Sequence, residues 1–198
     1  RELQVLERGE SLRQLGLDPG LGTVLVTGGS RGARSINRAV FAALPDWLTD
    51  FQVLHLTGQL DIAEAEGVAQ GLAPEQRARY VVKPYLHEMG LALSAADLVV
   101  SRAGASAIGE YPLFGLPAVL VPYPYAWRYQ KVNADHLTTR GAAVRLDDGA
   151  LGERLAGVVR DMLADPARLA AMRAAARAIA TPDAAERIAG VLRDVARD

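Results

Sequence analysis

Short runs of apolar residues alternate along the chain with longer segments of helical periodicity. The runs are rich in Val and Leu without strict alternation of polar and apolar positions, which is typical of parallel strands covered on both faces. They predict six strands, at Thr23–Thr27, Phe51–Thr57, Tyr80–Lys83, Asp97–Ser101, Pro117–Val121 and Ala142–Leu146. The segments between them predict helices at Ser35–Leu48, Gln59–Gly71, Met89–Ala95, Ala105–Phe114 and Tyr129–Arg140. This alternation predicts an α/β fold, a Rossmann-like doubly wound parallel sheet of about six strands.

The last part of the chain, residues 151–198, is rich in Ala, Arg and Leu and has helical periodicity throughout. Prolines divide it into three predicted helices, Leu151–Ala164, Ala167–Ala180 and Ala184–Ala196. We expect these helices to pack on the sheet or on a domain outside this chain. No repeat or linker sets them apart, so we interpret residues 1–198 as one domain. The start at Arg1 rather than at Met indicates a fragment or one domain of a longer protein.

Composition narrows the function classes. The 198 residues carry 22 Lys and Arg against 23 Asp and Glu, a balance that gives no bulk attraction for nucleic acid. The absence of cysteine excludes disulfides, thiolate catalysis and zinc–thiolate sites. The three histidines lack metal-ligand spacing and no Asp-x-Asp pair is present, so we expect no metal and no other cofactor. The charged first residues and the lack of a long apolar run favour a cytoplasmic protein.

A Gly-rich segment, Gly28–Ala33, follows the first predicted strand. Its glycines let the backbone turn sharply and approach a ligand closely. The Ser30 hydroxyl and the guanidinium groups of Arg31 and Arg34 are suited to a phosphate. The spacing matches neither the Walker P-loop nor the Gly-x-Gly-x-x-Gly fingerprint. A tight strand-to-helix turn that binds no ligand remains the alternative.

A second Gly-rich segment, Ser101–Glu110, also joins a strand to a helix. Its residues Gly104, Ala105 and Ser106 start that helix, where free N–H groups and the helix dipole favour an anion. Glu110 lies further along the helix, where its carboxylate either accepts both hydroxyls of a ribose or is simply solvated. Two such turns in one parallel sheet predict a ligand that contains a diphosphate.

Two further loops follow predicted strands. Lys83–Met89 has backbone groups that could bind the edge of a base, or it is an ordinary connection. Val121–Ala134 enters a helix in which Gln130 and Asn133 lie one turn apart. Side-chain amides suit the hydroxyl and acetamido groups of a sugar, although a helix cap with aromatic packing is the alternative.

In this order, the motifs at residues 27–37, 101–110, 115–123 and 130–134 resemble the C-terminal half of the MurG family. The resemblance runs from about Leu21 to the last helix. It implies the donor-binding half of a GT-B enzyme, built from two Rossmann-like domains. It also implies inverting transfer of N-acetylglucosamine from UDP-N-acetylglucosamine to lipid I, which yields lipid II for peptidoglycan synthesis.

The resemblance also implies roles for individual residues. Gly29 and Ser30 would lie near the diphosphate and the sugar, and Leu86 would contact uracil through its backbone, with Met89 close by. Glu110 would hold the ribose hydroxyls. The remaining expected contacts are the diphosphate cradle of Gly104, Ala105, Ser106 and Ala107, the acetamido-sugar contacts of Gln130 and Asn133, and Arg1 at the domain entrance.

The sequence departs from the family pattern at a few positions. Ala107 stands where a Thr is common, and Tyr129 stands where a Gln or His is common. Trp127 followed by Arg128 is also not the usual pairing. These departures bear on sugar contacts more than on nucleotide contacts.

The N-terminal half of the family, which holds the acceptor loop, the expected base and the membrane-facing surface, is not in this chain. We therefore expect the chain alone to be inactive and assign no catalytic residue. The resemblance implies a full-length enzyme peripheral to the cytoplasmic face of the membrane. The alternatives are another GT-B glycosyltransferase, a sugar-nucleotide epimerase, or a non-catalytic module that binds a nucleotide sugar.

Overall fold

The computed structural model describes residues 3–125 and 129–196. Within these ranges six parallel strands form one sheet in the spatial order β3-β2-β1-β4-β5-β6. The strands are β1 (Thr23–Thr27), β2 (Gln52–Leu56), β3 (Tyr80–Lys83), β4 (Leu98–Ser101), β5 (Ala118–Leu120) and β6 (Ala143–Arg145). The predicted doubly wound α/β fold is confirmed.

Helices fill the connections between strands and follow the last strand. They are α1 (Arg8–Leu15), α2 (Arg34–Trp47), α3 (Ile62–Gly71), α4 (Pro74–Arg77), α5 (Met89–Ala95), α6 (Ala105–Phe114), α7 (Tyr129–Thr138), α8 (Leu151–Leu163), α9 (Pro166–Ala178) and α10 (Ala184–Val195). A short 3-10 turn, Asp148–Ala150, precedes α8.

Apolar cores lie on both faces of the sheet. Alternate residues of β1 point to opposite faces: Val24 and Val26 belong to the core under α2 and α8, and Leu25 belongs to the core under α1, α5, α6 and α7. The central strands β1, β2 and β4 are buried along their whole length, whereas the edge strands β3 and β6 are partly exposed. This burial explains the unbroken apolar runs that predicted the strands.

Helices α1 and α4 were not predicted. Helix α1 buries only Ser11, Leu12 and Leu15, and its other positions are mostly charged or polar, so its apolar stripe is narrow. The carboxylate of Glu7 caps it by accepting hydrogen bonds from the backbone N–H groups of Gly9 and Glu10. A capping residue such as Glu7 predicts the start of a helix only where an apolar periodicity follows it.

The predicted C-terminal helices form, with one change of boundary. Pro166 is the first residue of α9 rather than the break before it, because a proline fits the first helical turn without losing a hydrogen bond. Helices α8 and α9 bury residues in the core, including Leu155 and Leu169. Among the described residues of α10 none is buried, and four large apolar side chains stay exposed: Ile188, Val191, Leu192 and Val195.

A buried chain of hydrogen bonds joins α2, β2 and the loop that follows β2. Asn37 donates its side-chain amide to the carbonyl oxygen of Thr57 (2.9 Å) and to the carboxylate of Asp61 (2.8 Å). Its Oδ1 lies 3.0 Å from Nε2 of His55, and Nδ1 of His55 lies 3.0 Å from the Tyr80 hydroxyl. Because an amide oxygen only accepts, the proton of the His55 ring is on Nε2, and Nδ1 accepts from the tyrosine.

We predict that His55 makes the fold sensitive to acid. Complete burial lowers the pKa of His55 from 6.5 to about 3, whereas the unfolded chain takes up a proton near the ordinary value. The unfolded state therefore binds more protons between these values, and the free energy of unfolding falls as pH falls. Between pH 6.5 and pH 5 the loss from this group is about 2 kcal/mol. Urea unfolding at several pH values measures it.

His55→Phe removes the titrating ring and also leaves Oδ1 of Asn37 and the hydroxyl of Tyr80 without a hydrogen-bond partner. We expect this variant to be less stable at pH 7 but to lose less stability on acidification than the unmodified chain. The matched control is His87→Gln in the exposed β3–α5 loop, which should keep the original pH dependence. An unchanged pH dependence in His55→Phe would contradict the prediction.

Candidate functional site

A cleft of about 850 Å³ opens at the carboxyl edge of the sheet. It lies over β1 and β4, which are neighbours in the sheet although β2 and β3 separate them in sequence. Connections leave these two strands in opposite directions, so a gap forms between them, as is general for ligand sites in doubly wound sheets. Helices α2 and α6 both begin at this gap, directly after the two Gly-rich segments.

The Gly28–Ala33 segment packs backbone to backbone against the loop after β2. Gly32 has a φ of +75°, and a Cβ on it would lie 2.0 Å from the carbonyl oxygen of Thr57. Gly58 has a φ of +80°, and a Cβ there would lie 2.6 Å from the amide nitrogen of Gly32. Only glycine permits this contact at either position. The contact holds Gly29 and Ser30 exposed at the rim of the cleft.

The first turn of α6 forms the floor of the cleft. Gly104 is the N-cap, and the backbone N–H groups that follow it have no helical partner four residues earlier. The N–H of Ala107 donates to the carbonyl oxygen of Gly104 (3.2 Å), which leaves the groups of Ala105 and Ser106 at the helix start. One turn further on, Glu110 lines the cleft, and partial burial raises the pKa of its carboxyl. In the described part of the chain, no group donates a hydrogen bond to this carboxylate.

A second group of polar side chains, Arg102, Asp148 and Ser35, also lines the cleft. Arg102 donates from Nη1 to Oδ1 of Asp148 (2.5 Å) and from Nη2 to the hydroxyl of Ser35 (2.7 Å), which itself donates to Asp148 (2.7 Å). The carbonyl oxygen of Val121 accepts a further bond from Nη1 (3.2 Å). The guanidinium carbon lies 5.3 Å from the centre of the Tyr123 ring, within range of a cation–π contact.

The loop after β5 supplies an aromatic wall. The rings of Tyr123 and Tyr125 meet edge to face, with centroids 5.6 Å apart, and both line the cleft. The backbone N–H of Tyr123 donates to Oε1 of Gln130 (2.8 Å), so the side-chain NH2 of Gln130 is left to face the cleft or solvent. Across the cleft, Tyr85 stands half exposed in the β3–α5 loop and packs on His87.

Residues 23–188 match the family described as the glycosyltransferase family 28 C-terminal domain. The chain belongs to this family. Two similar relatives, from Roseiflexus sp. and Acidothermus cellulolyticus, are each 42% identical to the chain and both carry the name UDP-N-acetylglucosamine–N-acetylmuramyl-(pentapeptide) pyrophosphoryl-undecaprenol N-acetylglucosamine transferase. The matches cover 97% and 99% of this chain but 48% and 54% of the relatives. The chain thus spans about half the length of the curated relatives it matches.

Solved structures agree with this assignment. The crystal structure of MurG from Acinetobacter baumannii superimposes with a TM-score of 0.79 at 25% identity, over 98% of this chain and 55% of that one. A putative UDP-N-acetylglucosamine 2-epimerase from Listeria monocytogenes shares the fold, with a TM-score of 0.66 at 17% identity over 99% of this chain and 50% of that one. The resemblance to the C-terminal half of the MurG family is confirmed.

The structure brings most of the predicted site residues of this family 28 domain together. Those that line the cleft are Gly29, Ser30, Met89, Gly104, Ser106, Glu110 and Gln130. Four others do not line it: Leu86, Ala105, Ala107 and Asn133. Arg1 lies outside the described residues, as do Trp127 and Arg128.

Each of the four has a definite environment. Ala105 is exposed at the start of α6, and the methyl group of Ala107 is buried in the core. Leu86 packs its side chain against the same core. Asn133 donates its amide to the carbonyl oxygen of Ala103 (3.0 Å), so it braces the turn before α6 from the side. Ala107 therefore faces the core, away from the cleft. A longer side chain at this position would require the neighbouring core residues to repack.

Several cleft residues were given no role from sequence. Arg102, Ser35 and Tyr85 lie inside segments that were singled out from sequence, whereas Asp61 and Asp148 lie in connections that carried no signal. Their common feature is position, because each lies near the carboxyl end of a strand or at the first turn of the helix that follows. The spatial strand order is needed to show that these ends converge.

The described residues hold no group of three or more His, Asp or Glu side chains placed to bind a metal ion. Across the same residues, no helix has the length and apolar character needed to cross a membrane.

Proposed function

We propose that this chain is the UDP-N-acetylglucosamine-binding half of an inverting glycosyltransferase that converts lipid I to lipid II. The observation that carries the proposal is the cleft itself, where two helix N-termini and the Glu110 carboxylate converge at the switch point of the sheet. The relatives whose names specify this donor and acceptor support it at 42% identity.

The diphosphate is proposed to lie between the starts of α2 and α6. Free backbone N–H groups and the positive ends of two helix dipoles point there, and both favour an anion. Ser30 and Ser106 add hydroxyl donors at the rim. We propose that these fixed donors meet the charge of the diphosphate without a metal ion.

The nucleoside is proposed to lie along α6 and the β3–α5 loop. Glu110 has two oxygens that accept hydrogen bonds and, in the described part of the chain, no protein donor, which suits the two ribose hydroxyls. Met89 offers an apolar surface beside it for the base, with the backbone near Leu86 as its polar edge. Gln130 is proposed to face the acetamido sugar, with Asn133 bracing the turn next to it.

The proposed reaction is direct displacement at the anomeric carbon. The acceptor hydroxyl attacks from the side opposite to the UDP group, and negative charge develops on the departing diphosphate. The helix N-termini stabilise this charge without reorganisation, which is the usual source of a large rate enhancement. We propose that the base and the lipid-linked acceptor belong to a partner half of the enzyme, which acts at the cytoplasmic face of the membrane.

Helix α10 supports this division into halves. Its exposed apolar side chains recur at helical spacing and form one face of the helix, and none of its described residues is buried. Contiguous exposed apolar patches often mark protein–protein interfaces. We propose that it packs on the acceptor half in the longer protein.

Calorimetric titration of the chain with UDP-N-acetylglucosamine and with UDP-glucose tests the donor. We expect UDP-N-acetylglucosamine to bind more tightly, and binding to persist when EDTA is added. A Ser106→Glu variant places a carboxylate where the diphosphate lies and should weaken binding at least about tenfold. An acidic residue at a helix N-terminus does not harm folding, so lost binding reports on the site.

Ala184→Glu is the matched control, since it adds the same charge to the first turn of α10, away from the cleft. It should bind UDP-N-acetylglucosamine as the unmodified chain does. Failure of the unmodified chain to bind either nucleotide sugar would overturn the proposed function.

The role proposed for Glu110 predicts a pH dependence. Because the pKa of Glu110 is raised, acid protonates it at a higher pH than an ordinary glutamate. The affinity for UDP-N-acetylglucosamine should therefore have its highest value above this pKa and should fall as the pH falls through it. Glu110→Gln should bind about ten- to a hundredfold more weakly at neutral pH and lose this pH dependence.

UDP-N-acetylglucosamine is the right probe because its diphosphate is esterified at both ends and does not titrate near pH 6, as a terminal phosphate does. Glu153→Gln, on the exposed side of α8, is the control and should change neither affinity nor pH dependence. Equal affinity of Glu110→Gln and the unmodified chain would remove Glu110 from the site.

A further inference from the structure

We infer that Arg102 is a positioning residue that fixes the sugar-facing wall of the cleft relative to the phosphate-binding turn, and that it is not itself a phosphate ligand. The inference rests on the proposed function and extends it to how the sugar is selected. It concerns the polar group formed by Arg102, Asp148 and Ser35.

The first argument is that the guanidinium is already engaged. Nη1 donates to Asp148 (2.5 Å) and reaches the carbonyl oxygens of Val121 (3.2 Å) and Pro122 (3.5 Å), and Nη2 donates to Ser35 (2.7 Å). Only 11% of the Arg102 side chain is exposed. Its charge is paired with a carboxylate inside the cleft wall, so a phosphate would have to displace protein partners to reach it.

The second argument is what these partners connect. Arg102 directly follows β4, and Ser35 lies in the first turn of α2. Asp148 begins the 3-10 turn after β6, and Val121 directly follows β5. Four connections that surround the cleft therefore meet at one side chain. A planar guanidinium with several fixed donors is suited to such a junction, whereas an ammonium group is not.

The third argument links this junction to the sugar side. Residues 121 and 122 are held through their carbonyl oxygens, and the next residue, Tyr123, stacks its ring near the guanidinium. The backbone N–H of Tyr123 in turn fixes Oε1 of Gln130. The orientation of the Gln130 amide, the group proposed to contact the acetamido sugar, thus depends on Arg102 through two fixed steps.

The two roles for Arg102 predict opposite effects of Asp148→Asn. If Arg102 were a phosphate ligand, removal of its carboxylate partner would leave a free cation near the diphosphate and strengthen UDP binding. If Arg102 is a positioning residue, UDP affinity stays within about twofold, while the preference for UDP-N-acetylglucosamine over UDP falls about tenfold, the value of one lost hydrogen bond.

The experiment is calorimetric titration of the chain with UDP and with UDP-N-acetylglucosamine, for the unmodified chain, Asp148→Asn, Ser35→Ala and Arg102→Lys. The matched control is Asp147→Asn, which removes the same charge one residue away, where the side chain is 81% exposed and only faces Arg145. We expect the dissociation constant of UDP divided by that of UDP-N-acetylglucosamine to fall in all three cleft variants. This ratio should stay unchanged in the control.

Urea unfolding reports on the folding of each variant, so a general loss of structure is distinguished from a change in the selection between the two ligands. Stronger UDP binding in Asp148→Asn, or an unchanged ratio in Asp148→Asn and Arg102→Lys, would overturn the inference. Loss of UDP binding in all three cleft variants would also overturn it, because it would assign the group to the nucleotide site. Absence of UDP binding in the unmodified chain would instead contradict the proposed function.

Discussion

The parallel arrangement of the strands is the constraint on which the site depends. All six carboxyl ends lie at one edge, and the order of the strands reverses between β1 and β4. The helices that follow these two strands pack on opposite faces of the sheet, and both start beside the same gap. The backbone N–H groups that can bind an anion are therefore brought together by the strand order, independently of the side chains. The side chains then decide which anion is bound and what is attached to it.

Two charged groups in the cleft, Arg102 and Asp61, are held in place by partners of opposite sign or by neutral dipoles. Arg102 is balanced by Asp148, and the Asp61 carboxylate accepts a hydrogen bond from Asn37 while it faces Arg34 at 3.8 Å. Glu110 differs from these groups, since burial disfavours its charged form and, in the described part of the chain, no protein donor offsets that cost. A carboxylate in this state gains most from a ligand that brings its own hydroxyl groups.

The sequence was sufficient for the strands because buried parallel strands are unbroken apolar runs. It was sufficient for the first Gly-rich turn because the backbone geometry at Gly32 requires glycine. It was insufficient for α1, whose stripe is carried by Leu12 and Leu15 alone. The junction of Ser35, Arg102 and Asp148 could not be predicted, since its members are 46 to 113 residues apart in pairs and meet only through the strand order. The family resemblance predicted residues most of which line the cleft, but it did not predict the directions of their side chains, as the inward-facing methyl group of Ala107 shows.

The close contact between Gly32 and the Thr57 carbonyl divides the rim of the cleft into two regions with different freedom to vary. Any side chain at Gly32 or Gly58 would force the two touching loops apart. Substitutions that add a functional group are therefore excluded at these two positions of the rim. The opposite wall is built from the exposed rings of Tyr123 and Tyr125 on the β5–α7 loop and from Gln130 in the first turn of α7. These side chains can be exchanged without moving a strand. Changes of donor during evolution, or by engineering, should therefore accumulate on the tyrosine side, while the glycine side stays the same.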